Sequence, residues 1–205
     1  MSIANMIERA KEAASRRNLD YAIQIYQEAL GIEPDHAEAR RDLRALELRK
    51  WEAHYPSSMS AFFASLPAVI SMKLSGLTKN HEGVMGACER YLANDPKNVK
   101  INLRLGHAAA NAGHVNAAVV AFETAVDVDA RNVEALKALG HLYRVNKDIN
   151  KALLYFEKVM EIDPRDQEAA RTRKDLAAEG ALKVTGFADA KHSRDLIRDK
   201  DQAHD

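Results

Sequence analysis

Leu105-Gly106, Ala118, Phe122 and Ala125 recur as Leu139-Gly140, Ala152, Phe156 and Val159, each 34 residues further along the chain. A fixed period of that length constrains the fold more than any other property of this sequence. Each unit is a helix pair whose apolar face is covered only by stacking on a neighbour. With Val99 and Val133 as first residues of two units, glycine falls at position 8 and alanine at position 20, where small residues let two helices approach closely. A mid-helix glycine costs roughly 1 kcal/mol against alanine, so its return at one register marks a packing requirement. Phe122 and Phe156 then fill the space between helix pairs, and burying each ring contributes about 1.5 to 3 kcal/mol. Cys88 and Tyr26 share that register.

Local features follow the same rhythm. Asn18, Asn80 and Asp148 stand at one register just before a second helix, where an Asx side chain caps exposed amides, and His114 is the fourth occupant. Pro34, Pro96 and Pro164 close three units and forbid helix continuation; Ala130 takes that place in the other. Two runs break the period. Residues 37–53 read as a helix with Leu43, Leu46 and Trp51 and the basic string Arg40, Arg41, Arg44, Arg49 and Lys50, and residues 168–176 echo its start. Both have the composition of capping helices with a solvated polar face. The expected organisation is residues 1–53 as one unit plus a long cap-like helix, 54–64 as a connector, 65–180 as three units plus a C-terminal cap, and 181–205 as a polar, flexible tail. Alternatively, Leu196 and Ile197 begin a further helix and the chain is part of a longer one.

The order Leu-Gly, Ala, Phe, Ala and Asp-Pro resembles the tetratricopeptide repeat. The resemblance extends through second helices to a unit from Ser65, with Val84, Cys88, Tyr91 and Asp95-Pro96, and to one from Ile3, with Ala22, Tyr26, Ala29 and Glu33-Pro34. It implies an all-α fold, a right-handed superhelical array of helix-turn-helix repeats with capping helices, whose first helices line a concave groove. Helix positions 2, 5, 6, 9, 12 and 13 face that groove in the family. Carried onto this sequence, they give Lys100, Leu103, Arg104, His107, Ala110 and Asn111 in one unit, and Glu134, Lys137, Ala138, His141, Arg144 and Val145 in the next. Lys73 and Arg171 extend the same column. This column is predominantly basic. It suits an acidic protein or peptide segment held by charge-assisted contacts, so the resemblance implies a non-catalytic adaptor or scaffold. Some family members clamp a terminal carboxylate with lysines and asparagines. Lys100 and Arg104 match part of that clamp, whereas Val69 and Lys73 stand where its first pair would be, and the clamp is not expected. Replacing Lys100, Arg104 and Lys137 with glutamate is expected to abolish capture of a native partner.

Other chemistry finds little support. Thirty basic residues balance thirty acidic ones, so no whole-molecule field draws the chain to nucleic acid or an anionic membrane, and the basic run at 40–50 is interrupted by Asp42 and Glu47. His107 and His141 share a register but lack an acidic or cysteine partner at helical spacing, so no metal is expected, and no cofactor. No nucleophile–base grouping or phosphate loop is visible, so no catalytic residue is expected. Cys88 reads as a small buried hydrophobe. A single cysteine and a start without an apolar leader point to the cytoplasm. The stretch 59–77 is the most apolar, yet Pro67, Lys73 and several serines make it a poor membrane span. Phe62, Phe63 and Leu66 within it either pack near Trp51 or form a second interface, for a homo-oligomer or a larger assembly. The alternative function is therefore a structural subunit working through 59–77, the convex face or the tail.

Overall fold

The backbone turn between the two helices of a pair has one form throughout the chain. In a computed structural model describing residues 2–53 and 58–184, with side chains in 2–53 and 65–181, Arg17, Lys79, Gly113 and Lys147 all adopt positive φ, between 52° and 83°. Each immediately precedes the N-cap residue of a second helix. Three of these turns then present Asn18, Asn80 and Asp148, whose side chains accept from the amides of Tyr21, Gly83 and Lys151. The left-handed turn reverses the chain and the Asx oxygen satisfies an amide the helix leaves open.

Among the described residues ten helices result: α1 (Ile3–Ser15), α2 (Leu19–Ile32), α3 (Ala37–Ala53), α4 (Ser58–Leu77), α5 (His81–Leu92), α6 (Val99–Asn111), α7 (Val115–Val128), α8 (Val133–Val145), α9 (Ile149–Ile162) and α10 (Gln167–Val184). The described residues contain no strand. They divide into two compact units, Met1–Ala135 and Leu136–Asp205. Residues 54–57 and 185–205, on which the start of the expected connector and most of the expected tail fall, lie outside the described residues, as do the side chains of Phe62 and Phe63, and the rest of that connector is the start of α4.

In the first unit, helices α1 with α2, α4 with α5 and α6 with α7 are antiparallel pairs. The recurring glycine explains the closeness of the last pair. A Cβ added at Gly106 would lie 2.6 Å from the Phe122 ring, and one added at Gly140, in the second unit, 2.6 Å from Phe156. Both rings are almost completely buried. Cys88, at the same register, is fully buried, and burial pushes its thiol up to about 12, so it is an inert core residue.

Helix α3 departs from its expected solvated role. Arg40 and Arg44 are buried, and so is Glu47. Arg40 and Arg44 both pair with Glu89 of α5, Arg44 also pairs with Glu47, and Arg40 donates to the Pro34 carbonyl at 2.8 Å. Two guanidiniums and two carboxylates compensate one another, which is the condition for burying charge at all. Burial raises the Glu47 carboxyl, whereas Arg44 and Arg40 hold that of Glu89 below the ordinary range against its own desolvation. Helix α3 also meets α7, with Arg41 3.2 Å from Glu123. The turn before it supplies a missing cap: His114 makes no capping bond, and Asp35 accepts from the Ala117 amide at 2.8 Å in its stead. Helix α3 and the turn before it are thus fastened to α5 and α7 by ion pairs and by a capping bond.

Because Phe122 sits where a Gly106 side chain would be, Gly106→Ala is expected to lower stability in urea unfolding by about 1 kcal/mol, overpacking outweighing helix propensity. In a Phe122→Leu background the same substitution is expected to stabilise. Stabilisation in both backgrounds contradicts the packing account.

Candidate protein-docking surface

The outward residues of α6 follow from what its inward face must bury. Asn102, Leu105, Gly106, Ala108 and Ala109 are buried, which leaves Lys100, Arg104, His107 and Asn111, spaced four, three and four apart, as one exposed stripe. Leu103 lies buried beside it. Arg104 turns towards α4, its Nη2 3.4 Å from the Met72 carbonyl. Lys73 of α4 is exposed as well. Lys73, Lys100 and Arg104 have no ion pair among the described residues, and neither α4 nor α6 contains a carboxylate. His107 is the exception on this stripe: its Nε2 lies 2.8 Å from Glu134, and its ring meets Phe122 edge-on at 5.0 Å.

The corresponding residues of the second unit are differently placed. Lys137 is bound by Asp166 at 2.6 Å and Glu168 at 2.8 Å. Those hydrogen bonds raise its own pKa and lower those of both carboxylates, with the Ala169 amide assisting at Asp166 and His141 at Glu168. His141 lies 3.0 Å from Glu168 and edge-on to Phe156 at 5.1 Å, repeating the geometry of His107. Arg144 is 3.8 Å from Glu179, and Arg171 is exposed. Half of the basic column read from the sequence is therefore neutralised within the fold. The pattern that encodes this is a glutamate at position 2 of the following unit, 27 residues after each histidine. A search for partners at helical spacing overlooks it.

Leu66, the described member of the expected second interface, is exposed. Among the described residues no cluster of three or more His, Cys, Asp or Glu could hold a metal ion, and no helix is long and apolar enough to cross a membrane.

Two tetratricopeptide-repeat family models match the chain, one over residues 99–132 and one over 133–166, the same units marked by Val99 and Val133. Residues 99–166 are two tetratricopeptide repeats. The chain's solved structural neighbours are of that kind. The first TPR of Spaghetti (RPAP3), bound to HSP90 peptide SRMEEVD, aligns with 58% of this chain and 94% of its own at 15% identity and a TM-score of 0.52. The Arabidopsis OM64 TPR domain aligns with 58% and 98% at 15% identity and a TM-score of 0.52. A crystal structure of MamA covers 96% of this chain and 97% of its own at 17% identity and a TM-score of 0.49. A search of the curated proteins gives no match. Tetratricopeptide repeats serve as protein-interaction modules, and in this chain α4 and α6 expose Lys73, Lys100 and Arg104.

Lys137→Met is expected to change the acid limb of the stability profile. Asp166 and Glu168 titrate lower folded than unfolded, so they add stability above their unfolded pKa that is lost as pH falls through the folded one. The difference between parent and variant should be full above about pH 5 and shrink below about pH 4, as read by urea unfolding across pH.

Proposed function

We propose that this protein is an adaptor whose α4–α6 face in the Met1–Ala135 unit binds an acidic segment of another protein. The observation that carries this reading is the set Lys73, Lys100 and Arg104: exposed cations on neighbouring first helices that carry no carboxylate. Cations held on rigid helices make charge-assisted hydrogen bonds to carboxylates and set the orientation of a partner. One structural neighbour, the first TPR of Spaghetti (RPAP3), is bound to a peptide, SRMEEVD, whose sequence includes acidic residues, which supports this reading. The fragmentary match to the carboxylate clamp argues for recognition of side-chain carboxylates along a segment.

Lys137, His141 and Arg144 are assigned to holding their own unit together, since each already faces a carboxylate. Charge reversal at Lys137 would damage that structure and is not a clean probe of binding. The informative variant is Lys100→Glu with Arg104→Glu. It is expected to weaken capture of a native acidic partner by the full chain more than about tenfold, two charge-assisted contacts becoming repulsive. Undiminished capture by the folded variant removes this face as the binding site.

A further inference from the structure

Helix α4 buries small or flexible side chains and exposes large aliphatic ones. Ser65, Ala68 and Met72 are 2%, 4% and 2% exposed, whereas Leu66, Ile70, Leu74 and Leu77 are 40%, 55%, 60% and 83% exposed. The spacings of four, four and three place the exposed set in one stripe, opposite the buried one. A helix that served only the core of its own unit would have the reverse arrangement. Lys73 lies at the edge of this stripe by register, and the polar stripe of α6 runs beside it, tied to α4 through Arg104 and the Met72 carbonyl. From Ala53 to His81 the sequence contains no Asp or Glu.

We propose that the α4 stripe seats an acidic amphipathic helix from a protein partner. Leucine-class side chains three and four residues apart lie against Leu66, Ile70, Leu74 and Leu77, and the Asp and Glu residues of that helix run along the edge facing Lys73, Lys100 and Arg104. A row of aliphatic side chains at i, i+4 and i+8 is a ridge of the kind that packs into the groove of another helix. The cations along one edge, with no carboxylate to oppose them, select an acidic partner and give it a direction. This inference rests on the reading of α4–α6 as the docking face and adds to it the conformation of the ligand and the order of its contacts, with apolar anchors supplying most of the hold.

Fluorescence anisotropy on the full chain tests it. The probe is a fluorescein-labelled synthetic peptide of about 18 residues, five turns of helix, with leucines at i, i+4, i+8 and i+11 and glutamates along one flank. The peptide is expected to bind, its scrambled isomer is not, and Ile70→Asp and Leu74→Asp are each expected to weaken binding at least about tenfold. Lys100→Glu should weaken it less and shift preference to a lysine-flanked version of the peptide. These side chains are already in water, so circular dichroism should show the variants folded; Leu77→Asp, at the most exposed position, provides a further variant if one is not. If the helix fails to bind while an extended glutamate peptide binds through Lys100 and Arg104, the inference falls and the docking face survives; if neither binds, both fall. Self-association abolished by Ile70→Asp, cross-linking of position 74 to the chain's own residues 185–205, or binding to anionic vesicles without peptide binding would each overturn it.

Discussion

A phenylalanine ring laid directly on a glycine backbone sets the geometry from which the rest of the repeat follows. Phe122 occupies the place of a side chain at Gly106, and Phe156 does so at Gly140. The ring brings the second helix of a pair hard against the first, and that contact fixes the rotation of the first helix about its own axis. Once Gly106 points inwards, Lys100, Arg104, His107 and Asn111 have only the opposite side available. The histidine following each glycine lies at the rim of this packing, with its ring edge-on to the phenylalanine and its Nε2 at a glutamate from the next first helix. Core packing and surface chemistry are thus specified by neighbouring residues of one motif.

The same logic separates charges that hold the fold from charges left for a partner. Arg40, Arg44, Glu47 and Glu89 compensate one another inside the first unit, and Lys137 and His141 share Glu168 in the second. A buried or closely paired charge is costly to expose to a new ligand, because the original counter-charge would be left behind. Lys73, Lys100 and Arg104 carry no such obligation among the described residues. They border a helix whose aliphatic side chains face water, and a surface combining apolar anchors with charge of one sign is suited to association: the first gives affinity, the second selection.

What could be read from the sequence was what repeats. The 34-residue spacing of Gly106 with Gly140 and Phe122 with Phe156 disclosed the helix pairs, and Asn18, Asn80 and Asp148 marked where second helices begin. Interactions that cross between units of the sequence were hidden. The composition of α3 resembles that of a solvated cap, because nothing local says that Glu89, 49 residues beyond Arg40, will meet it. His114 stands at the capping register without capping, because Asp35, 82 residues before Ala117, accepts from that amide. The His107–Glu134 and His141–Glu168 pairs were recoverable, because both repeat at the same offset of 27, but only by comparing positions across adjacent units. The apolar stretch 59–77 stood out by composition; its division into a buried face of Ser65, Ala68 and Met72 and an exposed one of leucines and isoleucine required the structure.

The central claim is that partner binding takes place on the outward face of α4 and α6. Hydrogen exchange of the full chain, followed with and without a bound native partner, addresses it most directly, since docking on a helix face lowers the local opening of its amides. Slowed exchange concentrated in residues 58–77 and 99–111 is the predicted result. Slowed exchange in α5, α7 or α9 with those two segments unchanged would contradict it.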